Sequence, residues 1–511
     1  MSNQNKKVLL IVFSAVLFGY SSITMNSYII WISFVPLLLA IDEKKIRSNI
    51  ILIAIFSLVF GSIAYAWIPV TFERFTGSFS FISLIGIAFL ILINFIQFFI
   101  WITAIQKFKI ANQSFVRTML LNTIFVASVY FILEWINCNL FIGIPWNKIM
   151  LRNAIASNVY FIQSASIVGS VGLSFIIIAA NYLIFISLKT KRLLPLWLAL
   201  GVFLLNFLYG LYIFQQDPEK DDKKNVALIC ENVKAETKWT EQGDQIISKM
   251  LGLVNDVKSS QPYLIVWPES ALPWTYVEND DILLAIADIL KGCNTQNLIG
   301  YLSQSEFNKN LVYNSAYLID ENGKSIGRYD KRILLDFIEK PFMNKSGIQF
   351  FSMFVQSIYD NVQKGNSNIL LSTNLGKAKI EICNESLVSD YFNTNDISFD
   401  FIVNISNDSW LENTQNIKHH FYLSALKSIE YRKYTIINSN RGISGIIDDK
   451  GRVQISKQSD KPEKVLGYIV SNQKQTIFAR FPLLIPILSI LVLITMIIIN
   501  YITRIKMRNQ N

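Results

Sequence analysis

Apolar residues dominate the first 214 positions in long runs nearly free of charge, then give way to short apolar stretches separated by polar segments. A helix rises ~1.5 Å per residue, so a bilayer takes about 20 residues to cross. Runs of that kind predict helices at about 8–24, 27–41, 49–70, 79–105, 118–136, 166–188 and 194–214, and an eighth at about 481–503. The stretch from Val8 to Ile41 is too long for one span, and Ser21-Ser22 and Asn26-Ser27 offer a turn. Residues 156–165 either lie in the interface or extend the sixth helix. Repeated uncharged runs of this length have no counterpart among the core helices of soluble proteins.

Beyond the polar linker at 215–225 the period changes. Strands are expected at 226–232, 263–269, 297–302, 313–320, 324–331, 369–373, 379–383, 401–406, 434–439 and 444–448. Helices are expected at about 241–259, 280–292, 386–395 and 416–433, with turn chemistry at Glu321-Asn322-Gly323 and Asp448–Gly451. Strands separated by helices and occasional hairpins predict an α/β domain over 226–472, followed by the last membrane helix and a tail over 473–511.

Composition agrees with two solvents in one chain. The 511 residues are 52% hydrophobic and 16% charged, with a mean hydropathy of +0.36. The net charge of +10 is placed beside membrane segments, which argues against nucleic acid as its partner. Lys6, Lys7, Lys44, Lys45, Arg47, Lys107, Lys109, Arg117, Lys189, Lys191, Arg192, Arg504, Lys506 and Arg508 fall in alternate connections. The intervening ones carry only Arg74, Lys148 and Arg152. The positive-inside rule then puts both termini of this multi-pass protein in the cytoplasm and the α/β domain outside. The first apolar run lacks a small-residue cleavage site and reads as a retained helix. Four cysteines (138, 230, 293, 383) show no paired spacing and only His419 and His420 exist, so no metal site and no cofactor are expected. Cys230 and Cys293 are expected to stay unpaired, and the two histidines to be structural. Glu134, near the end of the fifth helix, is either functional or an acid reaching the interface.

Three predicted strands end in residues of catalytic type: Glu269 after Trp267-Pro268, Lys331 after Tyr329-Asp330, and Cys383 within I-E-I-C-N-E-S. Each alone also reads as an edge carboxylate, a solvated lysine or a buried thiol. Strand ends are where α/β folds present chemistry, and the three types are complementary. A carboxylate takes and returns a proton, an ammonium steadies an oxyanion, and a thiolate carries an acyl group. A helix beginning after Cys383 would favour its thiolate through the N-terminal dipole.

W-P-E-S-A-L-P, Y-D-K-R-x-L-L-x-F-x-E and E-I-C-N-E-S, in that order, resemble the Glu-Lys-Cys motifs of the nitrilase (carbon–nitrogen hydrolase) superfamily. With the helical half, including E-W at 134–135 and G-I-P-W at 143–146, nearly the whole chain resembles the apolipoprotein N-acyltransferase family. The resemblance implies a polytopic helical membrane domain of about eight helices carrying a nitrilase-like αββα sandwich. It implies Glu269 as general base, Lys331 as oxyanion stabiliser and Cys383 as nucleophile. Glu339 and Glu385 match supporting acids, Trp239 a tryptophan over the pocket, and Asn384 stands where the family carries tyrosine or a similar residue. Two other departures are L-L-D-F-I-E-K for L-V-P-F-G-E-Y and C-E-N at 230–232 for Q-G-N. The implied reaction moves an acyl chain from a membrane phospholipid to the α-amino group of a lipoprotein's diacylglyceryl-cysteine, by a monomer in the inner membrane with its catalytic domain in the periplasm. The apolar stretch Lys340–Tyr359 is expected either to admit acyl chains or to pack as a helix. Alternative readings are a membrane-anchored amidase using the same residues, a scaffold with a retired nitrilase domain, and a transporter, against which stands the absence of an evident inverted repeat.

Overall fold

The computed structural model describes residues 2–42, 46–76, 81–110, 114–144, 150–216, 223–235, 237–306, 308–336, 338–340, 361–366, 369–389 and 398–508. The expected acyl loop at Lys340–Tyr359 lies, apart from Lys340, outside them, as do Lys44, Lys45 and Lys148.

The membrane half holds α1 (Asn3–Thr24), α2 (Val35–Ala40), α3 (Ile46–Ala64), α4 (Ile68–Thr76), α5 (Phe81–Phe108), α6 (Phe115–Leu140), α7 (Leu151–Ile155), α8 (Ala165–Thr190) and α9 (Leu194–Gln215). Among the described residues seven helices are long and apolar enough to cross a membrane, six of these and a C-terminal one at Leu484–Arg508. The second expected span, 27–41, is a broken segment: a 3-10 turn at Ile29–Trp31, then α2, with Pro36 in its first turn. Proline lacks the N–H that would continue a helix and suits its first turn. Asn181 of α8 repairs the interruption, donating to Ile30 O (3.0 Å) and accepting from Phe34 N (2.9 Å). Non-helical backbone at membrane depth needs such partners. Despite the break the chain returns to its starting end, because Lys7 pairs with Asp42 at 3.4 Å. The predicted span 49–70 is divided between α3 and α4, and 156–165 forms turns leading into α8.

The second half contains β1 (Lys224–Cys230), α10 (Trp239–Lys258), β2 (Leu264–Val266), α11 (Asp281–Ile289), β3 (Gln296–Gln304), β4 (Val312–Ile319), β5 (Ser325–Asp330), β6 (Leu370–Thr373), β7 (Gly376–Ile382), β8 (Phe401–Asn407), α12 (Asn416–Tyr431), β9 (Tyr434–Asn440), β10 (Ser444–Ile447), β11 (Val453–Lys457), β12 (Glu463–Ile469), α13 (Ile477–Arg480) and α14 (Leu484–Arg508). They build two six-stranded sheets, β12-β1-β2-β3-β4-β5 and β11-β10-β9-β8-β7-β6. In each sheet three neighbouring strands are parallel, β1-β2-β3 in one and β7-β8-β9 in the other.

Strand side chains alternate between faces, and β1 shows the consequence. Val226, Leu228 and Cys230 enter the core between the sheets, while Ala227 and Ile229 face α10 and α11. On the far side α12 packs Phe421 and Ala425 on the second sheet and turns Leu423, Leu426 and Ile429 into the core of the membrane helices. The order of layers is therefore α10/α11, sheet, sheet, α12, membrane helices.

Candidate active site

Glu269 lies three residues past β2, in a turn that crosses β3 at Gly300. A Cβ there would meet Ser270 N at 2.6 Å and Glu269 Cα at 2.9 Å, so the close approach requires glycine. Lys331 directly follows β5, with its N–H on Asn314 O (2.8 Å). Cys383 directly follows β7. All three are nearly buried, 6%, 1% and 6% exposed, and all line one cavity of about 400 Å³ with Glu339, Asn314 and Trp410.

The Lys331 ammonium is bonded to Glu269 Oε1 (3.2 Å) and Glu339 Oε1 (3.0 Å). Asn314 Nδ2 donates to the same two carboxylates, at 2.7 and 3.0 Å. Glu269 Oε2 takes the Asn407 N–H (2.9 Å) and Glu339 Oε2 the Leu335 N–H (2.8 Å). Burial works against the Lys331 charge, but the two carboxylates outweigh it and hold its pKa well above the ordinary lysine value. The lysine is a fixed cation between two acids.

Cys383 adopts a left-handed conformation, φ 55°, which a side chain tolerates only when its surroundings hold it. Its carbonyl accepts from Asn404 Nδ2 (3.2 Å) and Ser386 Oγ (3.0 Å), and lies 3.3 Å from His420 Nε2. His420 Nδ1 lies 2.7 Å from Asp408 Oδ1. A carboxylate can only accept, so Nδ1 carries the proton shared with Asp408, and protonation of the ring would let Nε2 donate to the Cys383 carbonyl as well. Burial lowers its pKa, but Asp408 more than offsets this and the net shift is upward. The Cys383 thiol itself is pushed well above its usual value, first by burial, then by the Glu269 charge, with Lys331 pulling the other way. The dipole argument for a resting thiolate is thus overturned. The chain leaves β7 in a 3-10 turn at Cys383–Leu387, not in a helix beginning at Ser386; of the expected helix, 390–395 lie outside the described residues. Burial and the Glu269 charge both favour the thiol form of Cys383, and the two side chains line the same cavity.

The structure brings Glu269, Lys331, Glu339 and Cys383 together. Glu385 stands behind them: Oε1 accepts from Arg332 N (2.7 Å), Ile333 N (3.0 Å) and Tyr329 OH (3.0 Å), and Oε2 from Ile382 N (2.7 Å). It ties the segment after Lys331 to the strand that presents Cys383. Burial lifts its pKa to about 7 against those donors. Asn384 makes a similar tie, Nδ2 to Ile333 O (3.1 Å). Trp239 is not brought to the cavity; it opens α10 with its ring edge-on to Trp274 at 5.8 Å. Sequence reasoning assigned nothing to Asn314, which lies within the expected strand 313–320, and gave His420 and the Asn407 region no chemistry. Cys230 and Cys293 are unpaired. Glu231, in the C-E-N departure, is a buried carboxyl lining a second cavity with Arg441, and burial raises its pKa well above the carboxylate range.

Comparison with known proteins agrees with both halves. Residues 14–183 match the family described as apolipoprotein N-acyltransferase N-terminal domain, and residues 225–472 match carbon-nitrogen hydrolase. An apolipoprotein N-acyltransferase of Rickettsia bellii is 26% identical over 426 residues, covering 81% of each chain. That of Rickettsia typhi is 28% identical over 378 residues, covering 71% of this chain and 74% of the relative. The chain belongs to the apolipoprotein N-acyltransferase family. Among solved structures, Saccharomyces cerevisiae Nit3, of the nitrilase superfamily, covers 49% of this chain and 90% of its own at 15% identity, with a TM-score of 0.37. Within the family's usual pattern, the Asp336 departure has a visible consequence. Its N–H donates to Gly143 O (2.9 Å) and its carboxylate pairs with Lys340 (2.9 Å); a proline there would have no N–H to give.

Proposed function

We propose that this protein moves an acyl chain from a membrane phospholipid to the α-amino group of a lipoprotein's diacylglyceryl-cysteine, through a thioester on Cys383. The observation that carries the reading is a cysteine, a glutamate and a lysine paired with that glutamate lining one cavity in a domain packed directly on membrane helices. Its relatives carry the matching name.

In the first half-reaction Glu269 takes the Cys383 proton as sulfur adds to the ester carbonyl carbon. The oxyanion forms beside Lys331, whose charge needs no reorganisation. Collapse breaks the C–O ester bond, Glu269 returns the proton to the leaving oxygen, and a lysophospholipid departs. In the second, the lipoprotein amine attacks the thioester carbonyl, Glu269 takes a proton from nitrogen, and the thiol is restored. Glu339 and Asn314 hold the lysine and the base in register.

One end of the helical bundle gathers the basic connections. The start of α1, Asp42, the start of α3, Gln106 of α5 and Asn500 of α14 are joined there by Lys7–Asp42, Asn49–Asp42, Gln106–Asp42 and Asn500–Lys109 bonds. Arg192, between α8 and α9, stacks on Phe115 at the start of α6 (4.1 Å). This is the lysine- and arginine-rich end, and by the positive-inside rule it faces the cytoplasm. The α/β domain sits at the other, against Ile23 and Gly143.

The test is intact mass of the purified protein incubated with phospholipid micelles, beside Cys383→Ala. An acyl-sized gain, removed by neutral hydroxylamine and missing in the variant, is expected. No adduct on a protein that cleaves small amides would replace this reading with the amidase one.

A further inference from the structure

Two loops carry the chemistry, 331–339 with Lys331 and Glu339, and 383–389 beginning at Cys383. Glu385 binds their near ends to each other. Their far ends are held by the membrane half, from the two ends of one short connection between α6 and α7. At its start Gly143 O accepts the Asp336 N–H at 2.9 Å. A Cβ at 143 would run into the Asp336 carboxylate and lie 2.9 Å from Leu334 O, so no other residue allows this approach. At its end Arg152, in α7, donates from Nη2 to Leu387 O (2.9 Å) and from Nη1 to Ser170 Oγ (2.6 Å), with Ser389 Oγ at 3.5 Å.

The membrane side of this contact is shaped to receive it. Gly169 breaks α8 with φ 73° and ψ 162°. The Ser170 N–H thus donates not along its own helix but to Glu430 Oε1 of α12 (2.8 Å), which also takes Ser389 Oγ (3.2 Å). Arg152, Ser170, Ser389 and Glu430 are 3%, 1%, 7% and 1% exposed. Burying an arginine and a glutamate is costly unless the geometry is fixed and their polar groups are bonded; Arg152 bonds through both Nη atoms while its buried Nε has no partner, and simple anchorage would need only apolar contact. The arginine fork, with its rigid directions, instead seizes the backbone four residues beyond the cysteine.

We propose that Gly143, just past α6, and Arg152, in α7, form a clamp that sets the spacing between Lys331 and Cys383, with Arg152 as the positioning residue, so that the membrane half is part of the reacting apparatus. The acyl-transfer readout rests on the function proposed above; the thiol readout does not.

The experiment uses full-length protein in detergent and the variants Arg152→Gln, Arg152→Lys, Gly143→Ala and Ser389→Ala. Thioester formation from phosphatidylethanolamine micelles is followed in a single turnover, and Cys383 alkylation by iodoacetamide is followed against pH by peptide mass. Misplacement of reacting groups by about 1 Å costs on the order of 100-fold. Arg152→Gln and Gly143→Ala should therefore slow the burst by roughly 10- to 100-fold with its amplitude intact, and Arg152→Lys should recover part of the rate. The alkylation profile should move to higher pH as Lys331 loses its hold on the sulfur. A burst of lower amplitude at the wild-type rate, with an unmoved alkylation profile, would reduce Arg152 to a structural role and overturn the proposal. If Arg152→Gln fails to fold, Gly143→Ala and Ser389→Ala decide by the same criteria. A wild type that forms no thioester would sink the acyl-transfer reading, and the alkylation profiles would still decide this one.

Discussion

At the level of single residues the site couples opposing charges, and that makes one substitution informative in two directions. Glu269 raises the Cys383 pKa while Lys331 lowers it. Removing the carboxylate charge in Glu269→Gln therefore leaves the ammonium nearer to command of the sulfur. The thiolate fraction at pH 8 should rise and iodoacetamide should react with Cys383 faster than in the wild type. Acyl transfer should fall by 100-fold or more on the order expected for loss of a general base, because no group remains to take the proton and return it. A variant in which both rates fall together would mean that Glu269 mainly holds the cavity in shape. Glu385 poses a different problem. Every group facing its oxygens donates a hydrogen, so Glu385→Gln turns an NH₂ onto donors. The cost should be about 1–3 kcal/mol, read as a lower melting temperature, together with a slower thioester burst because the segment after Lys331 loses its tie to β7.

Among the elements, the short turns carry more than their length suggests. At the 3-10 turn Cys383–Leu387 the Cys383 carbonyl takes Ser386 Oγ and Asn404 Nδ2, and His420 Nε2 of α12 reaches it at 3.3 Å. His420 has its folded pKa raised above 6.5 by Asp408 and the more distant Glu269, against burial. Its stabilising effect is therefore fully present below pH 6.5 and fades as pH rises through the folded value. His420→Gln should lower thermal stability in detergent by more at pH 6 than at pH 9; an equal loss at both would show that the ring acts by packing alone. Much of this layer is legible in the sequence. All ten expected strands exist, because strands such as β1, β8 and β9 are buried on both faces and so read as short continuous apolar runs. β11 and β12 are not among them: V-Q-I-S-K is an outer-edge strand with no buried residue, and E-K-V-L-G-Y-I has few. The break at 29–35 is hidden from the sequence because its repair comes from Asn181, about 150 residues away along the chain. Glu269, Lys331 and Cys383 can be found because each ends a strand. Asn314 cannot, since its place between two acids comes from the pairing of β4 with β5, where Ser315 sits opposite Asp330.

For the whole molecule the two halves share one interior, and this decides what happens when they are separated. Leu423, Leu426 and Ile429 of α12 are 6%, 2% and 0% exposed and belong to the same cluster as Trp101, Tyr130 and Ile177 of the membrane helices. On the next turn Glu430 meets Ser170, and Lys427 lies among Glu381 (3.7 Å), Glu430 (3.9 Å) and Val388 O. Hydrogen bonds at this face also run from Gln163 to Lys450 O and from Arg432 to Gln163. Excising residues 224–472 would turn that apolar face to water and leave Glu430 and Ser389 without Ser170 and Arg152. Burial is worth roughly 1.5–3 kcal/mol for each such aliphatic side chain, a large share of a domain's usual net stability of about 5–15 kcal/mol. The excised domain should bind an apolar dye and self-associate, while the intact chain in detergent does not. Replacing Leu423 and Leu426 by glutamate in the fragment should restore a monomer, since the two sheets and their shared core lie on the other side of α12. That monomer should still alkylate Cys383 only at a higher pH than the full chain, because the loops bearing Lys331 and Cys383 would have lost Gly143 and Arg152. A soluble, dye-free wild-type fragment with the full chain's alkylation profile would show instead that the α/β domain is complete in itself and that the membrane helices only carry it.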